Sequence, residues 1–382
     1  MVDQSLRLSW ASKGFPSDTD YSALSPSSAK LFAEDPHKYY LRKVEREDEP
    51  FSIPLVAGIA AHEGMEEFLG QAYDAGQDPE AAARSGLAVA GEALAEHWDE
   101  VDDKAVRENP DDLSNPRGRE RVELSYKDMD QRLRRVLWHS FGSIDEFAST
   151  YKIFEAQHNP LRCEVGVGEL AQANGREHHT ITSYDPHKEE YGEMPVAVIG
   201  GVPVRGRIDL LAEWPGGGQV IIDHKTVSKV VSYYPPYYGS GPWTMYEPSY
   251  NAADSLQLDM YAFGGGVPRA GFQFMLRRPQ YEPDDRPLYP DWVDEPRWSE
   301  YPALLPAAFV DGDDGLRQLC VYRPQPHDHE NATDRFTLDG IERRVTVKVR
   351  QIAEALTESL ILYDEGADPA IAFPAGDPDE IG

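Results

Sequence analysis

The chain has 382 residues, and 37 Lys and Arg against 67 Asp and Glu leave a formal net charge of −30. That length, with 40% hydrophobic and 10% aromatic residues, suits one large domain or two smaller ones and argues against a disordered chain. Two cysteines, Cys163 and Cys320, exclude a disulfide framework and a four-thiolate metal site within one chain, and the acidity excludes attachment to nucleic acid by net charge alone.

Residues 1–24 are polar and irregular and read as a loosely attached arm. They lack the apolar core of a secretory signal, and no stretch reaches the ~18 apolar residues of a membrane span. A reduced, cytoplasmic location is the expectation. A helix is expected from Ser25 or Ser28, where Ser25-Pro26-Ser27-Ser28 offers caps and an early proline. It runs through Leu31 and Phe32 to a break at Asp35-Pro36, after which Tyr39, Tyr40 and Leu41 continue an apolar patch. Residues 45–50 read as a charged loop. Residues 55–72 are expected to be helical, with Leu55, Ile59, His62, Met65 or Glu66, and Leu69 at three- and four-residue spacing. A further helix fits 80–98, an acidic loop 99–120, and a long helix 125–156. In the long helix Met129, Leu133, Val136, Leu137, Phe141, Ile144, Phe147, Tyr151 and Phe154 make one stripe.

The pattern changes at Asn159-Pro160. Residues 161–170 alternate like a strand, 196–214 read as two strands about Gly200-Gly201, and 219–223 read as a short buried strand. Residues 254–263 are expected as a helix, 270–276 and 317–322 as strands. A final helix over 345–363 carries Val345, Val349, Ile352, Leu356, Leu360 and Tyr363 on one face. The order implies an α/β fold: a sheet core over 159–276 behind a helical portion over 25–158, then a Pro- and Asp-rich insertion over 277–344 and the closing helix. Together 25–363 make a single domain, and 364–382 read as an acidic tail.

The informative segment is Gly206-Arg207-Ile208-Asp209, then thirteen residues, then Asp223-His224-Lys225-Thr226. Asp209 is expected to end one strand of a hairpin, with Asp223 and Lys225 two apart on the next and therefore on one face. Adjacent strands then converge two carboxylates and an ammonium on one point. Metal-assisted phosphodiester cleavage needs this set. Hard carboxylate oxygens hold Mg²⁺ or Mn²⁺ and leave positions for water and a phosphate oxygen. The metal acidifies water, and a neighbouring Lys orients or deprotonates the nucleophile or stabilises the transition state. Asp-x-Lys alone fits a surface salt bridge equally well. The apolar run Val220-Ile221-Ile222 before it and the Gly-Arg-Ile-Asp partner favour a cleft.

Three further features fit. His62 is either a satisfied core residue or a third metal ligand. Gln257 and Tyr261, four apart on one helix face, are either a surface Gln and a packing Tyr or two groups pointing into the cleft. Glu164, on the strand before the hairpin, is either solvent-facing or a further acid near the metal.

In this order the motifs resemble the RecB-like branch of the PD-(D/E)XK nuclease superfamily, close to exonucleases of CRISPR adaptation and their phage-encoded relatives. Ser25 to Ser28 through Asp35-Pro36-His37-Lys38-Tyr39 resembles that family's opening helix, and Gly58 to His62-Glu63 its His motif. Gly206 to Asp209, Asp223 to Thr226, and Gln257-x-x-x-Tyr261 resemble its remaining motifs. The resemblance covers residues 25–265 and implies a restriction-endonuclease-like core, a mixed central sheet flanked by helices. It implies that His62, Asp209, Asp223 and the backbone carbonyl of His224 bind Mg²⁺ or Mn²⁺. Lys225 would be the catalytic Lys, supported by Gln257 and Tyr261. DNA ends or single strands would be the substrate, with a helicase or recombination protein as partner, in phage or bacterial recombination, repair or replication. Many relatives carry an iron–sulfur cluster that clamps the two ends of the domain. Here Asp35-Pro36 stands where Cys-Pro would be and Phe373 to Asp377 contains no Cys, so no such cluster is expected and packing must make the clamp.

Other stretches carry weaker signals. Tyr233 to Tyr250, rich in Tyr and Pro, is either a base-stacking surface or a self-packed loop. His327-Asp328-His329-Glu330 reads as solvated loop, and Arg132, Arg134, Arg135, Arg277 and Arg278 read as helix-surface charge or the border of a DNA path. Two rivals to an exonuclease stand: an endonuclease on the same core, and a non-catalytic module that binds DNA ends or a protein partner.

Overall fold

A computed structural model describes residues 23–45, 51–99, 101, 126–151, 162–185, 190–213, 219–227, 231–233, 244–246, 255–267, 269–276, 309–311, 317–319 and 338–375. The arm before residue 23, His327 to Glu330, Arg277, Arg278, Cys320 and most of the 277–344 insertion lie outside the described residues. So do the side chains of Arg132, Arg135, Cys163, Glu164 and the 233–250 aromatics.

The helices start where short polar caps meet proline. Helix α1 (Pro26–Glu34) is capped by Ser25, whose Oγ accepts from the Ser28 amide at 3.1 Å. Asp35 caps α2 (Pro36–Tyr39), which runs on into a wider π-helical turn over Tyr40–Val44. Helices α3 (Ile53–Leu69) and α4 (Pro79–Trp98) begin at Ser52 and Asp78, each with proline in the first turn. Each such cap satisfies an amide that the helix itself leaves open. Helix α5 (Tyr126–Tyr151) buries Met129, Leu133, Val136, Leu137, Phe141 and Ile144, the stripe expected of it.

The buried face of α3 includes the expected Met65 and Leu69 but not Leu55. Val56, Ala57, Ala60, Ala61, Met65 and Phe68 are buried, while Leu55 is 48% exposed. Small residues extend the buried face because α4 approaches the helix backbone to backbone. A Cβ on Gly64 would lie 2.8 Å from the Gly86 carbonyl oxygen. His62 lies at the margin of this face, its side chain 39% exposed.

The sheet core holds two sheets. Strands β1 (Arg162–Gly166), β5 (Arg207–Glu213), β6 (Gln219–Val227) and β9 (Arg269–Leu276) form a mixed four-stranded sheet in that spatial order. β6 pairs antiparallel with β5 and parallel with β9. Strands β2 (His178–Asp185), β3 (Glu190–Ile199) and β4 (Val202–Val204) form an antiparallel three-stranded sheet. Two-stranded ribbons pair β7 (Val231–Tyr233) with β8 (Thr244–Tyr246) and β10 (Phe309–Asp311) with β11 (Arg317–Leu319).

Three expectations are corrected here. Residues 161–170 are half strand, half helix: β1 ends at Gly166 and α6 spans Val167–Ala173. A Cβ at Gly168 would sit 2.1 Å from the Pro195 carbonyl, so α6 lies directly on β3. Residues 196–214 hold parts of three strands, because the chain leaves one sheet at Val204 and enters the other at Arg207. Asp209 is therefore the third residue of β5, not its end.

Helix α7 (Leu256–Gly265) starts at the Ser255 cap and ends at left-handed Gly266. Helix α8 (Leu338–Asp364) begins well before the expected Val345, and α9 (Pro369–Ala372) follows it. Part of the segment read as tail is packed: Phe373 is fully buried and stacks on Tyr40 at 5.2 Å. Tyr363 meets Tyr40 edge-on at 5.2 Å and donates to Glu45 Oε1 at 2.8 Å, and Tyr40 donates to the same carboxylate. Opening and closing segments are thus joined by aromatic packing.

The four-stranded sheet is covered on both faces. Leu210, Ala212, Val220, Ile222 and Met275 share a core with α3, α4 and α5. Ile208, Leu211 and Ile221 share one with α6 and Tyr261 of α7. Among the described residues, no helix is long and apolar enough to cross a membrane.

Candidate active site

Alternation along β6 sorts its residues between these layers. Asp223 and Lys225 follow Ile221 toward α7; His224 and Thr226 follow Ile222 toward α3. A Cβ on Gly58 of α3 would touch Thr226 Oγ1 at 3.4 Å, so a small residue there lets the helix settle on the strand.

Asp209, Asp223, Lys225, His62, His224, Gln257 and Tyr261 come together at this point. Asp209 Oδ2 accepts from the His224 amide at 2.7 Å and lies 3.6 Å from His62 Nδ1. The His62 and His224 rings meet edge-on at 6.2 Å. Asp223 is 1% exposed. Its Oδ1 accepts from Gln257 Nε2 at 2.8 Å, and its Oδ2 contacts the Lys225 ammonium. Gln257 Nε2 also lies 3.4 Å from Tyr261 Oη, and Lys225 Nζ stands 5.9 Å over the Phe272 ring.

Burial pushes the Asp223 carboxyl up to about 6, with the charge of Asp209 adding to the rise and Lys225 and His62 opposing it. Burial first, then the charge of Asp223, raises the Tyr261 phenol, which stays neutral and accepts from Gln257. Two close carboxylates, one of them buried, repel each other, and a divalent cation relieves that repulsion. Among the described residues, no three His, Cys, Asp or Glu side chains form a ready-made cage. The donor set fits a hard ion that keeps much of its water and takes only one or two carboxylates.

Two contributions were not apparent in the sequence. Gly206 is needed because a Cβ there would lie 2.6 Å from Tyr261 Cε1. Arg344 of α8 grips Asp259 on the far side of α7, its Nη2 2.8 Å from Oδ1. Its signal was lost when the closing helix was expected to begin after it. Arg134, by contrast, is paired with Asp130 one turn earlier, which makes it helix-surface charge.

A family model of the PD-(D/E)XK nuclease superfamily matches residues 23–264, well over half the chain. The chain belongs to the PD-(D/E)XK nuclease superfamily. The match runs from the residues before α1 to Gly264 in the last turn of α7, and so spans all of these site residues except Phe272 and Arg344. PD-(D/E)XK proteins are typically metal-dependent nucleases that use divalent ions such as Mg²⁺, and a nuclease domain implies DNA as substrate. No curated protein matches the chain.

Proposed function

We propose that this protein is a Mg²⁺- or Mn²⁺-dependent deoxyribonuclease of the RecB-like type that hydrolyses DNA from ends or along single strands. The observation that carries the reading is the convergence of Asp209 and Asp223 from adjacent strands, with Lys225 against Asp223 and Gln257 donating to its other oxygen. Asp209 and Asp223 would hold the ion, with His62 and the His224 carbonyl completing the protein's share. The bound ion would supply an acidified water and charge neutralisation at the phosphate. Lys225 would orient the attacking water and take up or return its proton. Gln257 would fix the rotation of the Asp223 carboxylate, and Tyr261 would hold Gln257. The setting is phage or bacterial recombination, repair or replication in the cytoplasm, with a helicase or recombination protein as partner. One nuclease domain that opens with α1 and closes with α8 and α9, with an insertion between β9 and α8, fits this role.

The test is degradation of end-labelled linear DNA, single- and double-stranded, with either metal, beside a covalently closed circle. Wild type should release nucleotides from linear DNA only with metal and leave the circle intact. Lys225→Ala should lose about 10²- to 10⁴-fold in rate. Cutting of the circle would mark an endonuclease, and an inert wild type that binds DNA ends would mark a non-catalytic module.

A further inference from the structure

Helix α7 is only ten residues long, and its two faces have different neighbours. Gln257 and Tyr261 share the face toward the sheet. Asp259 is two positions from each, about 200° around the helix, and meets α8. There Arg344 donates from Nε to Asp259 Oδ2 at 3.2 Å and from Nη2 to Oδ1 at 2.8 Å. Its Nη1 donates to the Gly340 carbonyl at 3.3 Å within its own helix. The Arg344 and Asp259 side chains are 24% and 14% exposed, so the pair is largely withdrawn from screening solvent. Ile341 and Val345 of α8 share a core with Met260, Ala262 and Phe263 of α7. That apolar contact holds the helices together without fixing their register, because it is non-directional. A guanidinium fork on a carboxylate fixes distance and angle at once.

We infer that Arg344, acting through Asp259, is a positioning residue for the cleavage site. The fork holds α7 at the register where Gln257 keeps its hydrogen bond to Asp223 Oδ1, and so keeps the other Asp223 oxygen on Lys225. This rests on the nuclease reading, which gives Asp223 its task.

The experiment compares wild type, Arg344→Ala, Arg344→Lys, Asp259→Asn, Gln257→Ala and the Arg344→Ala/Gln257→Ala double variant. Each is followed by kcat and KM on end-labelled DNA, by calorimetric Mn²⁺ affinity and by melting temperature. Arg344→Ala should lower kcat and Mn²⁺ affinity by about 10- to 100-fold. KM for DNA should change less than about twofold, since no DNA contact is lost. The double variant should fall no further than Gln257→Ala, because both changes act on the same carboxylate. Arg344→Lys keeps the charge but loses the fork and should shift in the same direction. Together with Asp259→Asn it carries the test if Arg344→Ala does not fold. Losses that add in the double variant, or a folded Arg344→Lys with wild-type kcat and Mn²⁺ affinity, overturn the inference and leave the nuclease reading intact. A wild type that neither cleaves DNA nor binds Mn²⁺ overturns the nuclease reading, and the inference falls with it.

Discussion

At the scale of single residues, the site is governed by how Asp223 is buried. Its carboxyl binds a proton more tightly folded than unfolded, so its contribution to stability is fully present below the ordinary value of ~4 and is lost as pH rises through about 6. Metal-free protein should therefore lose stability across that window. An ion competes with the same proton, so stabilisation by Mn²⁺ should appear as pH rises past about 6. Melting curves in chelator and in Mn²⁺ from acid to neutral pH check both signs, and Asp223→Asn should remove the difference. Gly206 offers a steric counterpart. A methyl group there meets the Tyr261 ring at 2.6 Å, and the ring cannot yield without disturbing its contact with Gln257. Gly206→Ala should cost about 1–3 kcal/mol in denaturant unfolding and reduce cleavage as well. Period-two spacing pairs Asp223 with Lys225 and period-four spacing pairs Gln257 with Tyr261, Asp209 follows from the neighbouring strand, and the order of the motifs joins the five into a set. The reason for Gly206 was not legible, because it lies in a ring contact between segments some fifty residues apart.

Elements were legible where the chain announces its own boundaries. Ser25, Asp78 and Ser255 each cap a helix that the sequence placed within a few residues, whereas Asp35-Pro36, expected as a break, starts a further helical turn. The helix α6 was hidden because Val165-Gly166-Val167-Gly168 alternates like a strand, and only contact with Pro195 decides otherwise. On α3 the expected Met65 and Leu69 are buried, but Leu55 stands exposed while the small residues Ala57, Ala60 and Ala61 face the core. The closing elements follow the same logic of contact. Phe373, fully buried against Tyr40, anchors α9 and the end of α8 to the opening turn. Phe373→Ala should cost about 3–5 kcal/mol of unfolding free energy, read by thermal or urea denaturation. The two phenols on Glu45 hold its carboxyl below the ordinary range, but this exposed group adds little to that anchor.

Over the whole molecule, a net charge of −30 opposes the approach of a polyanion. Added salt weakens local phosphate contacts but also screens this general repulsion, so the two effects offset each other. Affinity of the metal-free protein for single-stranded DNA should therefore change less than about tenfold between about 50 and 200 mM salt, a far shallower fall than basic DNA-binding proteins show. A fluorescence-anisotropy titration at several salt concentrations measures the slope. The fold class was legible at this scale because helices precede strands and strands precede a last helix. The division of the strands into two sheets was not, since nothing in the sequence marks the crossing between Val204 and Arg207. The join between the opening turn and α8–α9 also orders events in time. During synthesis strands β5 and β6 and helix α7 leave the ribosome before residues 338–375 exist, so neither the Arg344 fork nor the Phe373 anchor is available to them. A nascent chain thus carries Asp209 and Asp223 before it carries the brace behind α7, and the α7 register is fixed only once α8 has been made.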